Sequence, residues 1–428
     1  MTYYLKTETY PDVTLTPGTK NNTNLDPRGS RLIGGDAGRR PIVCASFPNA
    51  FADDPWLQNQ HPVLLAQAVE LRQIGCRWIP TPEFPGLRWL FSNRKQIDVV
   101  HFHWPELYYR PLKDAPKLIR LFLRLFHLAW LYAFVFLAKL LRIPIVWTLN
   151  DVYPHGQNPT RPFEKRVRCF LMRHVSALLL CGASAEPVVR AEFGPTRRIV
   201  VAPLGNYRAF YPDKLTTEEA RRKLGVGPGE RVLLCFGSMR GTRNGIDLIR
   251  TFRTLPDPNL RLFVVGSSPD SLREIMEKDA QGDDRIHCNF QSVSNETLEI
   301  YLKACDWVII PGKNYLTSGV LALGLSYGRP VISAGYGCAP SMTGDAGFLY
   351  DQDDPDGLKN AIRAALLADQ PEYRRRAEAQ GATFSWAKTA SQTMLAYREA
   401  LIDCGRLPHS EPPVPTTLVD HPSVACLR

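Results

Sequence analysis

The sequence predicts an α/β protein made of two doubly wound parallel-sheet domains facing a central cleft. Two observations carry most of that expectation. From residue 41 onward, ten short runs that are β-branched or uniformly apolar alternate with helical stretches. Strands buried on both faces read this way, and strand–helix alternation implies a parallel sheet covered on both sides. The alternation is broken once, by the polar stretch TTEEARRKLGVGPGE, which separates two such units. A third observation is length: 428 residues suit two or three domains at ~100–200 residues each.

In the first unit the strands are expected at 41–47, 97–104, 143–149, 176–182 and 198–205, with helices at 60–74, 115–141 and 162–173. In the second they fall at 231–237, 260–266, 285–290, 306–312 and 329–335. Its helices are expected at 244–254, 268–279, 294–304, 318–327 and 355–368. A last helical stretch, 371–401, is long enough to pack back across the domain junction. The division is therefore 1–40 (a polar arm, read as disordered), 41–215, 216–370, 371–401 (closing helices) and 402–428. The last segment carries five prolines and reads as a disordered tail. The start has no basic region followed by an apolar one, so no signal peptide is expected.

Hydrophobic residues make up 44% of the chain, which excludes wholesale disorder. No run of ~20 uncharged apolar residues appears, which speaks against an obvious spanning helix. The ten cysteines are scattered, most in strand-like apolar runs, and none has zinc-ligand spacing. Core packing in a reducing compartment is expected, and no metal site.

The net charge is +10, and its distribution is uneven. Between Arg110 and Arg173 there are twelve Lys or Arg against Asp114, Asp151 and Glu164, a local surplus of 12 − 3 = 9. Such a patch asks for an anionic partner. Within it, the helical stretch 117–143 is apolar from Leu125 to Ala138 except for His127, and Lys117, Arg120, Arg124, Lys139 and Arg142 flank that core. A buried connecting helix is one reading. The favoured one is an interfacial helix whose Trp130, Tyr132 and Phe134 enter lipid while the cations meet anionic headgroups. Arg161, Lys165, Arg166, Arg168 and Arg173 read as one solvated helix face. No RNA-reading or helix-turn-helix pattern accompanies the charge, so nucleic acid is not the expected partner.

Four loops at strand ends carry candidate chemistry, because ligands of such sheets bind outside the carboxyl ends of the strands. In HFHWPELYYR, Pro105 stops the ladder and Glu106 stands where the chain leaves the sheet. Glu106 is a candidate general base, or else a loop ion pair with Arg110. His103 and Trp104 are candidate acceptor contacts, Trp104 by stacking on a sugar. In TLNDVYPHG, Asn150 can meet an acceptor, Asp151 is a second base candidate or a helix cap, and His155 can bind a phosphate or sugar hydroxyl. In FGSMRGTRNG, Gly237 lets backbone approach an anion, and Arg240 and Arg243 supply charge for a diphosphate leaving group. In NYLTSGVLALG, Thr317, Ser318 and Gly319 read as a helix start whose free N–H groups hold a phosphate.

These motifs together resemble a GT-B glycosyltransferase, with two Rossmann-like halves, over about residues 41–401. IDVVHFHWPE, VWTLND, PLGNYRAFYP and TSGVLALGLSYGRPV are similar to the bacterial β-1,4-mannosyltransferases of glycosyltransferase family 94. That resemblance implies hexose transfer, mannose from GDP-mannose ahead of a UDP-sugar, to a lipid-linked saccharide in exopolysaccharide synthesis. It implies no metal or other cofactor and a peripheral position on the cytoplasmic face of the plasma membrane. Several motif positions depart from the family: Asn150-Asp151, Leu204-Gly205-Asn206-Tyr207, Asn244-Gly245 and Gly156. Retaining GT-B enzymes of family 4 commonly carry two glutamates eight residues apart; here Tyr315 and Leu323 stand there. That points to an inverting enzyme with Glu106 or Asp151 as base. The alternatives are a retaining UDP-sugar-dependent hexosyltransferase and a non-catalytic, membrane-associated binding protein.

Overall fold

The computed structural model describes residues 40–48, 62–79, 81–82, 85–109, 116–154, 161–195, 198–239 and 244–407. His155, Arg240 and Arg243 lie outside the described residues, as do the arm before Arg40 and the tail beyond Leu407.

The chain forms two six-stranded sheets, parallel throughout. The first contains β1 (Ile42–Phe47), β2 (Cys76–Ile79), β3 (Val99–Phe102), β4 (Ile145–Thr148), β5 (Ala177–Leu180) and β6 (Ile199–Val201), in the order β2-β1-β3-β4-β5-β6. The second contains β7 (Arg231–Phe236), β8 (Leu260–Val265), β9 (Ile286–Asn289), β10 (Trp307–Ile310), β11 (Val331–Ala334) and β12 (Gly347–Tyr350), in the order β12-β11-β10-β7-β8-β9. Each expected run holds a strand. β2 and β12 were not expected, and both are edge strands. CRWI exposes Arg77, and GFLY has no buried residue, so neither carries the apolar signature of a central strand.

The helices are α1 (Pro62–Gln73), α2 (Leu87–Asn93), α3 (Lys117–Leu140), α4 (Arg161–His174), α5 (Ala185–Phe193), α6 (Thr217–Lys223), α7 (Gly245–Arg253) and α8 (Asp270–Ala280). They continue with α9 (Asn295–Ala304), α10 (Gly319–Ser326), α11 (Ala339–Thr343), α12 (Gly357–Leu367), α13 (Gln370–Ala382) and α14 (Trp386–Asp403). The polar stretch between the units is not merely a linker. Thr216 and Glu219 form a capping box that starts α6 there. The closing stretch is two helices, because the Ser385 hydroxyl accepts from Lys388 N and begins a new one. α14 ends at Asp403, and Leu407 still packs on the core, so ordered chain runs past the expected 401 boundary.

One face of the first sheet packs on α1 and α14, through Leu64, Leu71, Met394 and Tyr397. Its other face meets α3, α4 and α5, and that cluster continues into the second domain through Leu234, Val308, Ile310 and Leu321. The chain crosses between domains at Leu204–Tyr207 and returns at Thr383–Trp386. Trp386 Nε1 donates to Asn206 O at 2.8 Å, and Thr389 Oγ1 donates to Pro203 O. An added Cβ at Gly205 would lie 2.2 Å from Trp386 Cδ2, so only glycine fits beneath that ring.

The basic apolar helix has two halves. Leu131, Phe134, Val135 and Ala138 recur at helical spacing and are buried on the sheet. Phe134 is therefore core, and Tyr132 stacks on Phe170 of α4 with ring centroids 3.9 Å apart; neither faces outward as expected. The outward residues are Leu118, Ile119, Leu121, Phe122, Leu125, Phe126, Trp130, Phe136 and Leu140. Over Leu121–Leu140 the helix is long and apolar enough to cross a membrane by length and composition, though Arg124 and Lys139 interrupt it. Its second half also packs on the first domain, through Leu131, Phe134, Val135 and Ala138.

Candidate active site

In doubly wound sheets the ligand crevice opens where strand order reverses. Those points are β1/β3 in the first sheet and β7/β10 in the second. The loops after β3 and β4 and those after β7 and β10 carry the residues singled out in the sequence.

After β3, His103 N donates to Phe47 O at 2.9 Å, which carries the chain one residue past the strand. The His103 ring is buried, stacked on His101 at 4.1 Å between centroids and 5.7 Å from Trp78. Trp104 is half-buried and leans on the core cluster beneath α14. Both rings therefore contribute packing on the side away from α3 and α4. Pro105 starts a 3-10 turn, Pro105–Tyr108, that buries Glu106. The Glu106 carboxylate faces Arg168 of α4, with Oε2 3.5 Å from Nη2. The ion-pair reading of Glu106 thus finds a partner in Arg168, while Arg110 lies outside the described residues.

Arg168 is the residue the sequence hid. It was expected on a solvated face with Lys165, Arg166 and Arg173; those three are exposed, but Arg168 is 2% exposed. The 3.6-residue turn puts it beside Glu164 and Val167, which point inward too. Its Nη1 donates to Asp151 O at 2.9 Å, and its guanidinium lies 5.4 Å from the Trp147 ring. Nearby, Tyr109 donates its hydroxyl to Glu164 Oε2 at 2.8 Å, and burial pushes that phenol well above its usual range.

After β4, Asn150 Nδ2 donates to His103 O at 3.4 Å and ties the two loops together. Asp151 is half-buried, and the residues after it do not begin a helix at Val152–Pro154, so it is not a cap there. Its negative charge acts on the buried Cys181 thiol, which burial pushes up to about 11 with Asp151 adding to the rise and Thr317 opposing it. Asp151, Cys181 and Thr317 therefore sit together, and Thr317 belongs to the second domain. The same seam holds Gly182 against Cys338 and Ser341, and Ser184 Oγ donates to Gly337 O at 2.8 Å.

In the second domain Gly237 ends β7 with φ +99°, a conformation that favours glycine, and its N–H donates to Val265 O at 2.9 Å. The loop then enters α7 at Asn244, the strand–loop–helix arrangement expected of an anion cradle. At the start of α10 the Ser318 hydroxyl accepts from Leu321 N at 3.2 Å, so it serves as the N-cap. The N–H groups of Gly319 and Val320 precede the first intrahelical bonds of α10. A Cβ added to the exposed Gly319 would sit 3.7 Å from the Tyr207 hydroxyl. Tyr207, from the crossing segment, thereby borders the same helix start; burial holds its phenol protonated, well above the usual range.

Tyr315 and Leu323 are both buried. The Tyr315 hydroxyl contacts Ser333 Oγ and Leu323 packs in the core, so neither offers a donor-facing polar group like a carboxylate. Among the described residues, no group of three or more His, Cys, Asp or Glu is arranged to hold a metal ion.

Two six-stranded parallel sheets with flanking helices, their switch points carrying the loops described above, make up a GT-B fold. Residues 230–368 match the family described as "Glycosyl transferases group 1". The chain is 27% identical over 331 residues to a GDP-mannose:glycolipid 4-beta-D-mannosyltransferase of Xanthomonas campestris pv. campestris, covering 75% of this chain and 84% of that one. It is 30% identical over 275 residues to a D-inositol 3-phosphate glycosyltransferase of a Nocardioides species, covering 59% of each. Among solved structures, sucrose-phosphate synthase from Thermosynechococcus elongatus superposes with TM-score 0.60 at 16% identity, over 85% of this chain and 100% of that one. Anabaena HepE in complex with UDP also gives 0.60, at 13% identity, over 84% and 99%. The protein is a glycosyltransferase, and these last two likenesses are of fold.

Proposed function

We propose that the protein is an inverting mannosyltransferase that moves mannose from GDP-mannose to a lipid-linked saccharide at the cytoplasmic face of the plasma membrane, in exopolysaccharide synthesis and without a metal. The similarity across three-quarters of the chain to a GDP-mannose:glycolipid mannosyltransferase supports the donor and acceptor class. The observation that carries inversion is the placement of carboxylates. The α10 region holds Tyr315 and Leu323, both buried, while the cleft side of the first domain holds Asp151 and Glu106. The exposed apolar face of α3, with Lys139, Arg142, Lys165, Arg166 and Arg173 exposed around it, supports an anionic membrane as partner.

The donor diphosphate lies against the N–H groups at the start of α10, with Arg240 and Arg243 adding charge. The acceptor hydroxyl attacks C1 of mannose from the opposite face. The C1–O bond to the diphosphate breaks, its electron pair stays on GDP, and a first-domain carboxylate takes the acceptor proton. Asp151 suits that role better than Glu106, because Asp151 is half-buried while Glu106 is buried facing Arg168. Stabilising the leaving diphosphate is the main rate effect, as charge develops where dipoles are already fixed.

The test is transfer from GDP-mannose to a polyprenyl-diphosphate-linked saccharide, with the product anomer determined by NMR. A β-linked product, lost in Asp151→Asn, is expected; an α-linked product overturns inversion. Full activity in both Asp151→Asn and Glu106→Gln overturns the base assignment. A thermal-shift series with GDP, UDP and ADP reads the donor, and selective stabilisation by UDP overturns GDP-mannose.

A further inference from the structure

Arg168 is the only buried cation of the first domain among the described residues. Removing a guanidinium from water costs several kcal/mol unless charge and hydrogen bonds replace the water. Here two replacements come from the two loops that border the cleft. The Glu106 carboxylate, from the loop after β3, stands 3.5 Å away, and the Asp151 carbonyl, from the loop after β4, accepts at 2.9 Å. The planar fork can reach both at once because its donors point in fixed, divergent directions. Trp147 below the guanidinium closes that side.

We propose that Arg168 is a positioning residue of the transfer reaction, clamping the Asp151 peptide against Glu106 so that the Asp151 carboxylate faces the donor. The inference rests on the reading of Asp151 as base. Holding the carbonyl fixes the backbone from which the carboxylate projects. Asn150 braces the same turn from the other side through His103 O. Glu106 is then the counter-charge that lets a cation stay buried behind the site.

The experiment compares the parent chain with Arg168→Gln, Arg168→Lys, Glu106→Gln and Asp151→Asn, reading kcat, KM for GDP-mannose and GDP thermal shift. A misplacement of about 1 Å at a reacting group costs about a hundredfold in rate, so Arg168→Gln is expected to lower kcat by ten- to a hundredfold. KM for the donor and the GDP shift stay near the parent values, because the Arg168 contacts among the described residues lie in the first domain. Arg168→Lys keeps the charge and loses the fork, so its kcat stays low. Glu106→Gln lowers kcat less than Arg168→Gln.

A folded Arg168→Gln enzyme with parental kcat overturns the proposal. If Arg168→Gln does not fold, Arg168→Lys decides: parental kcat overturns the clamp. An active Asp151→Asn enzyme overturns the base reading instead, whatever Arg168 does. An inactive Asp151→Asn beside an unaffected Arg168 series overturns the clamp alone.

Discussion

Replacing Phe122 and Phe126 together by serine is expected to detach the protein from membranes while leaving its fold intact. Nine of the fifteen exposed large hydrophobic residues among those described lie on α3. Soluble monomers rarely leave so much contiguous apolar surface in water without a partner. Phe122 is 69% exposed and Phe126 52%. With ~200 Å² per aromatic side chain, the pair offers roughly 240 Å² to a bilayer. At ~25 cal/mol per Å² this is worth about 6 kcal/mol when fully inserted. A helix lying at the headgroup boundary buries about half of that, so the double variant loses about 3 kcal/mol, roughly a hundredfold in partitioning. The assay is co-sedimentation with vesicles of neutral lipid containing a quarter anionic lipid, at 0.05 and 0.5 M salt. The parent chain binds, less at high salt because headgroup attraction is screened, and the variant stays in the supernatant at both. Equal sedimentation of parent and variant, with unchanged circular dichroism, refutes the placement of this face in lipid.

Two further outcomes follow from contacts away from the membrane face. Gly205→Ala drives a methyl group into the Trp386 ring at the domain crossing; overpacking of this kind costs about 1–3 kcal/mol, and a lowered melting temperature in scanning calorimetry checks it. His101 is wholly buried, with Nδ1 2.6 Å from the Tyr397 hydroxyl and Nε2 2.8 Å from Thr148 Oγ1, and burial followed by the neighbouring His103 holds its pKa well below the usual value. The unfolded chain then binds a proton near pH 6.5 that the folded chain refuses. Stability is therefore complete above that pH and falls as pH drops below it. His101→Gln is expected to melt lower at pH 8 and to show a shallower loss between pH 6.5 and 5; an unchanged slope contradicts the buried neutral imidazole.

The inner strands were legible because burial on both faces leaves runs of apolar residues with little polar interruption, and of the four edge strands β6 and β9 were legible too. The other two edges, β2 and β12, escaped: CRWI alternates, and GFLY is a short run with no fully buried residue. Helix starts made by a single hydroxyl were legible when they followed a strand, as at Ser318, and missed when they sat inside a polar stretch, as at Thr216. Candidate site residues were found by their place at strand ends, which is a property of the fold. What those side chains touch was not legible. His103 and Trp104 read as sugar contacts by residue type, but the period of two along β3 turns the His103 ring onto His101 and Trp78. Tyr207 gave no signal at all, because its nearness to Gly319 depends on how the crossing segment bends between domains.

Arg168 shows why the charge surplus misleads when counted by region. Along 161–173 the cations recur at spacings that suit a single solvated face, and three of them are exposed. Yet α4 is amphipathic in the ordinary way: Glu164, Val167, Arg168 and Leu171 fall on the inward stripe. Two of those four are charged, which a packed stripe tolerates only when partners lie on the facing loops. Glu164 finds Tyr109, and Arg168 finds Glu106 and the Asp151 carbonyl. The helix thus divides its charge between two tasks. Lys165, Arg166 and Arg173 face outward beside the apolar side of α3, to which α4 is joined by the Tyr132, Phe136, Phe170 and His174 rings. Arg168 faces inward to the loops after β3 and β4. The exposed cations and the loop of the proposed base are therefore served by opposite faces of one helix, whose diameter, ~10 Å, separates them.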